Sequence, residues 1–310
     1  MHSDAMNAET LPNLDAGPFA SPRFRRIAVV VNTAGGGVGP DAAAEMEAIL
    51  AHSGAEIHLA SVEPKDIDAA VRAAVETLPD LLVTLAGDGT ARLAAELCGP
   101  DGPLLAPLPG GTMNMLPHAL YGERDWREAL ASALSTGLAR PYPGGTVGGR
   151  PFYVAAILGA PALWAPAREA VRYGNLKRAF LYAQRALARA FTGRLSFELD
   201  QGPRVKAEAL MLISPLISEL CPDHSALEAI ALDPHHALEA CRIGVNALLG
   251  DFRSDPAVSA QFCQSGRALS RRAIPCLLDG ELHRLDREVE FKFLPRAFRA
   301  LVPAPDARPH

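Results

Sequence analysis

The stretch 81–90 constrains the fold of this chain more than any other. A mostly apolar run at 81–86 ends abruptly at Gly87-Asp88-Gly89-Thr90, and a helix-compatible stretch follows at 91–98. A continuous apolar run bounded by glycine is typical of a strand buried on both faces of a parallel sheet. We therefore predict a buried strand, a tight turn and the start of a helix. The turn places one carboxylate and several backbone N–H groups at the carboxyl end of a strand, where open α/β sheets bind ligands.

Two other predicted strands also end in glycine-rich turns. Strands and helices alternate four times across 27–121, which predicts a doubly wound, mostly parallel α/β sheet. The turns at 32–39, 87–90 and 110–114 then share one edge of the sheet and can line one crevice. Thr112 is placed to cap the helix that follows the third turn.

The pattern changes after 140–150, a segment with two prolines and four glycines that we interpret as a domain boundary. Short strand-like runs predict an antiparallel β-sandwich with a helical insertion at about 166–192. The expected strands of this part lie at 152–158, 194–200, 207–213, 226–232, 267–275 and 288–293.

The expected organisation is a tail followed by two domains. We predict a disordered tail at 1–24, an α/β domain at 25–142 to which 294–304 returns, and the β-sandwich domain at 143–293.

Composition excludes several classes of protein. The net charge of −5 argues against a large nucleic-acid footprint, so no nucleic-acid partner is expected. No apolar run approaches the ~20 residues that cross a bilayer, and 1–20 lacks the apolar core of a signal peptide. The five cysteines form no CxxC pair, which favours reduced thiols in the cytoplasm.

The predicted insertion helix has a basic face. Arg178, Arg185 and Arg189 recur at helical spacing, opposite an apolar stripe. One interpretation is the solvated face of a helix that packs on the core. The other is a surface that meets anionic lipid headgroups, where each basic residue adds ~1 kcal/mol of attraction.

Lysine usage narrows the chemistry of the crevice. The chain has four lysines, and Lys65 is the only one in the predicted α/β domain. A phosphate bound there must therefore be held by backbone amides, Thr and Asn side chains, arginines or a metal. Asp88, between two glycines, suits a Mg²⁺ ion that bridges phosphate oxygens. Asp279 is a candidate base for a substrate hydroxyl, although Asp-Gly is also a common hairpin turn.

The ordered motifs of the chain resemble the diacylglycerol kinase catalytic-domain family. That family includes bacterial soluble lipid kinases, sphingosine kinases and ceramide kinases, and is distantly related to NAD kinases. The motifs that carry the resemblance are Val31-Asn32 with the following glycines, Gly87-Asp88-Gly89-Thr90, Pro109-Gly110-Gly111-Thr112-Met113-Asn114, Asp279-Gly280-Glu281, and the closing segments 291–295 and 301–303.

The resemblance implies a two-domain fold with ATP and Mg²⁺ in the cleft, and a second domain that helps to form a lipid site. It implies that Asp279 is the general base, with Glu281 beside it, and that Asp88 is catalytic and a tentative Mg²⁺ ligand. The residues that it assigns to the nucleotide are Asn32, Gly36, Gly37, Gly87, Asp88, Gly89, Thr90, Gly110, Gly111, Thr112 and Asn114.

Several positions depart from the family pattern. Ala86 stands where a glycine is usual, Leu93 where an acidic residue is usual, and Met115 where an aspartate is common. The stretch 152–155 lacks the asparagine that usually opens the second domain.

Three hypotheses remain open. The first is a cytoplasmic, reversibly membrane-associated kinase of diacylglycerol, ceramide or a sphingoid base, with homodimer formation left open. The second is a kinase of a soluble substrate such as NAD. The third is a degenerate nucleotide- or lipid-binding protein without catalysis.

Overall fold

The computed structural model describes residues 23–164, 194–218, 220, 225–234 and 255–304. The described residues form α/β and antiparallel β layers, so the predicted fold class is confirmed. The helices are α1 (Ala42–Leu50), α2 (Ile67–Glu76), α3 (Asp88–Cys98), α4 (Met115–Tyr121) and α5 (Trp126–Thr136). The strands are β1 (Arg26–Asn32), β2 (Glu56–Val62), β3 (Leu81–Ala86), β4 (Leu104–Pro109), β5 (Leu138–Val147), β6 (Arg150–Phe152), β7 (Ala155–Gly159), β8 (Leu195–Leu199), β9 (Val205–Ala207), β10 (Ala209–Ile213), β11 (Leu227–Leu232), β12 (Val258–Cys263), β13 (Ser265–Leu269), β14 (Ile274–Leu278), β15 (Glu281–Leu285) and β16 (Glu288–Val302).

The first part is a parallel sheet in the order β2-β1-β3-β4, as predicted from the alternating pattern. Every residue of β3 and β4 is buried, which explains why both strands read as continuous apolar runs. Because the three strands are parallel neighbours, the turns after β1, β3 and β4 meet at one edge of the sheet.

The predicted boundary segment is a paired strand. Residues 138–147 form β5, which pairs with β16 over most of its length. Its glycines are required for packing, because a Cβ on Gly145 would lie 2.5 Å from Cζ of Phe152, and one on Gly144 would lie 2.7 Å from the Phe152 carbonyl oxygen. The chain therefore passes from the first part to the second within the sheet, and the glycine-rich composition reflects close approach.

Strand β16 connects the two parts. Its register shifts between Leu294 and Phe298; the earlier half pairs with β13, and the later half lies beside β4, where Ala300 pairs with Leu105 in parallel. The hydroxyl of Tyr121 on α4 donates to the Leu301 carbonyl at 2.9 Å. The end of the chain thus packs into the first core.

The second part is a sandwich of two sheets. One sheet continues the first through β16-β13-β8-β9, and the other has the order β12-β11-β10-β7-β14-β15. Apolar side chains from both fill the space between them, including Phe197, Leu210 and Cys276. Several expectations for strands were wrong. The predicted strands 152–158, 207–213 and 267–275 are each split between two strands, and β12 and β15 were missed. Both missed strands lie at the edges of the second sheet, where exposed positions interrupt the apolar pattern.

The predicted membrane-facing residues Arg178, Arg185 and Arg189 lie outside the described residues, so their role stays a prediction. Among the residues that are described, no helix is both long and apolar enough to span a bilayer.

Candidate active site

The turns that follow β1 and β4 pack backbone against backbone. A Cβ on Gly35 would lie 2.4 Å from the Gly110 carbonyl oxygen, and the Gly37 N–H donates to the same oxygen at 3.2 Å. The Gly110 N–H in turn donates to the Ala86 carbonyl at 3.0 Å. A side chain at Gly35 or Gly110 would separate the turns, so these glycines hold backbone amides close together.

Gly35 was not among the predicted site residues, whereas the predicted Gly36 is exposed and would accept a Cβ with no atom within 4 Å. Asn32 closes the same loop, because its Oδ1 accepts the Ala34 N–H at 3.1 Å. The structure therefore assigns close packing to Gly35, a backbone hydrogen bond to Gly37 and loop closure to Asn32, and leaves Gly36 unconstrained.

The turn after β4 is fixed by Asn114. This residue has φ of 49°, in the left-handed region that asparagine tolerates better than most residues. Its Oδ1 accepts the Gly111 N–H at 2.8 Å, and its Nδ2 donates to the Gly111 carbonyl at 3.2 Å. The expectation that Thr112 caps α4 was wrong, since Asn114 is the N-cap residue and Thr112 is exposed.

Asp88 begins α3 and is half-buried between the turns. Its Oδ1 accepts the Leu116 N–H at 3.4 Å, from the first turn of α4. Burial raises the pKa of this carboxyl, while the amides of Leu116, Met115 and Asn114 and the nearby His118 oppose that rise. Met115 acts here through its backbone amide, so the absence of an acidic side chain at this position leaves this contact intact.

The surroundings of Asp88 fit a metal that is shared with a phosphate. A Mg²⁺ ion in kinase sites is commonly held by one or two carboxylates together with substrate phosphates. Within the described part of the chain, no group of three or more His, Cys, Asp or Glu residues could hold a metal ion. Asp88 would be the protein's carboxylate ligand, and the ion would neutralise phosphate charge.

Asp279 lies at the corner of the β14–β15 hairpin. Both Asp279 (φ 44°) and Gly280 (φ 91°) are left-handed, and Leu278 pairs with Glu281 across the turn. This is the two-residue turn that Asp-Gly favours, so the hairpin interpretation of the sequence is correct. The hairpin also presents the carboxylate, so the two interpretations are compatible.

Three backbone amides hold the Asp279 carboxylate. Its Oδ1 accepts the N–H groups of Val154 and Ala155, both at 2.9 Å, and its Oδ2 accepts the N–H of Tyr153 at 2.7 Å. Because the donors are backbone groups, this grip does not depend on the side chains at 152–155, where the sequence departs from the family pattern.

The Asp279 carboxylate can accept a further hydrogen bond. A carboxylate offers about four lone-pair sites, and Oδ2 has only one of the three donors. Burial raises the pKa of Asp279 to about 6, against the opposing effects of the three amides and of Arg92. A carboxylate with this pKa is ionised at neutral pH and is more basic than an ordinary aspartate, as suits a general base.

The Asp279 turn meets the start of α3. Arg92 Nη2 donates to Glu281 Oε2 at 2.7 Å, and a Cβ on Gly89 would lie 2.8 Å from Glu281 Oε1. A cavity of about 380 Å³ opens beside this contact. It is lined by Asp68, Arg72, Gly89, Thr90, Arg92, Leu93, Glu96, Arg150, Pro151, Glu281 and His283.

Predicted site residues from two parts of the chain lie on the elements that meet at this contact. The turns contribute Gly87, Asp88, Gly89, Thr90, Gly110, Gly111 and Asn114, and the hairpin contributes Asp279 and Glu281. Sequence reasoning missed Arg92 and His283. Arg92 lies one helical turn after Asp88, on the face that also carries Gly89 and Glu96, and this spacing is the signal that could have identified it.

The outer face of the second sheet carries an apolar row, which is exposed at Leu282 and buried at Ile230. A row of residues in register across its six strands consists of Leu282, Leu277, Ile157, Met211, Ile230 and Ala260. Their neighbours along the strands, such as Leu158, Leu212 and Leu278, lie in the sandwich core. Since side chains alternate along a strand, the row lies on the face away from that core. It begins at Leu282, directly after Glu281.

The glycine turns at the edge of the parallel sheet and the hairpin that carries Asp279 lie on the two sides of one contact, which Arg92 and Gly89 make with Glu281. Residues 26–146 match the family model of the diacylglycerol kinase catalytic domain. The resemblance read from the sequence is confirmed there.

Solved structures share the fold over nearly the whole chain. A candidate diacylglycerol kinase from Bacillus anthracis str. Sterne is 18% identical, with 92% of this chain and 97% of that chain covered and a TM-score of 0.71. A diacylglycerol kinase from the same organism is 15% identical, with coverage of 92% and 98% and a TM-score of 0.62. A third structure, also of a candidate diacylglycerol kinase from that organism, is 19% identical, with coverage of 90% and 97% and a TM-score of 0.68. At these identities the likeness shows the fold. The comparison with curated proteins gives no match.

Proposed function

We propose that this protein transfers the γ-phosphate of ATP to the hydroxyl of a membrane lipid, with Mg²⁺ bound at Asp88. Diacylglycerol, ceramide and a sphingoid base are the candidate acceptors. The observation that carries the proposal is the contact between two half-sites: the start of α3, with its glycine turn, touches the hairpin that presents Asp279. A phosphoryl transfer needs both halves, one to hold the phosphates and one to accept the hydroxyl proton.

The residues of the cleft would have separate roles in the transfer. The amides of the turns at 32–39, 87–90 and 110–114 bind the phosphates, as helix starts and glycine loops do. The lipid oxygen forms the new bond to phosphorus, the bond to the departing ADP breaks, and Asp279 Oδ2 takes the hydroxyl proton. The pKa of about 6 leaves Asp279 ionised and ready for this role at neutral pH.

The apolar row supports a lipid acceptor over a soluble one. A soluble substrate such as NAD needs no apolar surface, whereas this row leaves apolar side chains partly exposed from Leu282 to Met211 before it becomes buried at Ile230. Acyl chains lying on the exposed part of this row would bring the headgroup to the hairpin that carries Asp279. Arg178, Arg185 and Arg189, on the predicted basic helix, would add contact with anionic headgroups.

The test is transfer of labelled γ-phosphate from ATP to a vesicle panel of diacylglycerol, ceramide and sphingosine. Asp88→Asn and Asp279→Asn are each expected to reduce transfer by at least about a hundredfold. Asp101→Asn is the matched control, because this exposed carboxylate (89% side-chain exposure) pairs with Arg296 at 3.5 Å, outside the cleft. Full transfer by both site variants would refute the assignment.

A second test separates lipid from soluble acceptors. Leu282→Gln places a polar group at the exposed start of the apolar row, and Val205→Gln makes a similar change on β9; the two residues are 41% and 40% exposed. We expect Leu282→Gln alone to raise KM for lipid, with KM for ATP unchanged. Equal behaviour of the two variants, or phosphorylation of NAD without vesicles, would favour a soluble acceptor. Binding of ATP without turnover across the panel would favour a degenerate binding protein.

A further inference from the structure

Arg92 lies where the two halves of the cleft touch. Its side chain is 15% exposed, and its guanidinium bonds two carboxylates: Glu281 at 2.7 Å and Glu96, one helical turn further along α3, at 3.3 Å. A planar guanidinium can hold two acceptors in fixed directions, which an ammonium group cannot do in the same way. Glu96 therefore anchors Arg92 on α3, and Arg92 holds Glu281.

The carboxylate of Glu281 also fits closely against the helix. Its Oε1 occupies the place that a Cβ at Gly89 would need, 2.8 Å from that position. His283, two residues along the same strand, lies 3.7 Å from Glu281, and its buried Nε2 has no hydrogen-bond partner among the described residues. Burial lowers the pKa of His283, and Arg150 and Arg92 lower it further against the effect of Glu281. A neutral imidazole leaves Arg92 as the cation that neutralises Glu281.

We propose that Arg92 is a positioning residue that holds the Asp279–Glu281 turn against the start of α3 and so sets the distance between the phosphate turns and the base. The proposal rests on the proposed kinase function. Asp279 and Glu281 are separated only by Gly280 in a tight hairpin, so a displacement of Glu281 is passed to Asp279. The hydrogen bonds of Arg92 go to Glu96 and Glu281, so it acts on Asp279 through the turn.

The experiment compares kcat and KM for Arg92→Met, Arg92→Lys and Arg204→Met in the full chain with ATP and lipid vesicles. Displacing a catalytic group by ~1 Å can cost about a hundredfold in rate. We expect Arg92→Met to lower kcat by at least about tenfold, with KM for ATP within about threefold of the wild type. Lysine should recover part of kcat. Arg204→Met, which removes a 2.8 Å ion pair with Glu198 at an exposed site, should change neither value.

The outcomes separate this inference from the proposed function. A wild-type protein that phosphorylates no lipid refutes the proposed function, and the positioning role falls with it. An active wild type with an unchanged kcat in Arg92→Met refutes only the positioning role. A raised KM for ATP at unchanged kcat also refutes it, because Arg92 would then be a nucleotide ligand.

Thermal unfolding of Arg92→Met, Glu281→Gln and the double variant provides a readout that is independent of activity. Residues in direct contact are energetically coupled. We expect the double variant to lose no more Tm than the more affected single variant. Additive losses of Tm would mean that the two side chains do not interact and would overturn the inference.

Discussion

The packing of the phosphate turns makes Gly111→Ala a sharp test. Gly111 follows β4 in the third turn and faces Gly87, the residue that precedes α3. A Cβ on Gly111 would lie 2.6 Å from the Cα of Gly87. Carbon atoms prefer separations of ~3.5–4.0 Å, so the two turns must separate by about 1 Å. The obstacle is backbone, which cannot rotate away as a flexible side chain could.

The size of the effect follows from that displacement. Forcing an extra methyl group into a packed site costs about 1–3 kcal/mol, which corresponds to a Tm lower by roughly 1.5–5 °C in a protein of this size. The shift would also displace Asn114, because its side chain bonds both the N–H and the carbonyl of Gly111. A site held to within ~0.5 Å does not tolerate such a shift. We expect ATP affinity to fall by about tenfold or more.

The assay pairs thermal unfolding with calorimetric titration of Mg²⁺ and ATP, and Gly36→Ala is the control for stability. Gly36 lies in the first turn, and no atom lies within 4 Å of the position that a Cβ would occupy there. Alanine at this position should therefore leave the free energy of unfolding within about 0.5 kcal/mol of the wild type. A Gly111→Ala protein that unfolds and binds ATP like the wild type would refute the close packing of the turns.

Three other perturbations follow from the same geometry. Asp88→Asn should keep the fold and weaken Mg²⁺-dependent ATP binding, and an unchanged calorimetric affinity would remove Asp88 from the metal site. Activity should fall as pH drops through about 6, because protonation of Asp279 removes the base; in Asp279→Asn the residual rate should lack this acid limb. Because the pKa of Asp279 is raised in the folded state, Asp279 stabilises the fold most at acid pH. This contribution is lost as pH rises from 3.8 through about 6. The Tm of Asp279→Asn should therefore depend less steeply on pH than the Tm of the wild type. Changing Arg178, Arg185 and Arg189 together to Glu should reduce binding to anionic vesicles at low salt, and unaltered binding would mean that this surface does not meet lipid.

The parallel sheet and its turns could be predicted because their signals are local. An apolar run that ends at Gly87 or Gly110 predicts a buried strand followed by a turn whose backbone lies close to a neighbouring turn, and the structure contains both features. Asn114 was predicted as a site residue, but its left-handed backbone was not, because the choice between Thr112 and Asn114 as cap depends on the path of the turn. The presence of a helix or strand was therefore easier to predict than the residue at which it begins or ends.

The junction of the two halves could not be read from the sequence. Arg92 and Glu281 are 189 residues apart, and neither lies in a pattern that indicates the other. The amides that hold Asp279 belong to residues 153–155. Because almost any residue supplies a backbone N–H, the amino-acid sequence does not reveal these donors. The edge strands β12 and β15 were missed for a related reason, because their exposed positions break the apolar run that identifies buried strands.

The most direct measurement of the central claim is mass-spectrometric detection of the phosphorylated product after incubation with ATP and Mg²⁺. Wild type and Asp279→Asn would each be given diacylglycerol, ceramide and sphingosine in vesicles, and NAD in solution. Lipid kinase action predicts one phosphorylated lipid with the wild type, little with Asp279→Asn, and no phosphorylated NAD. A product from NAD alone, or equal lipid product from both proteins, would contradict it.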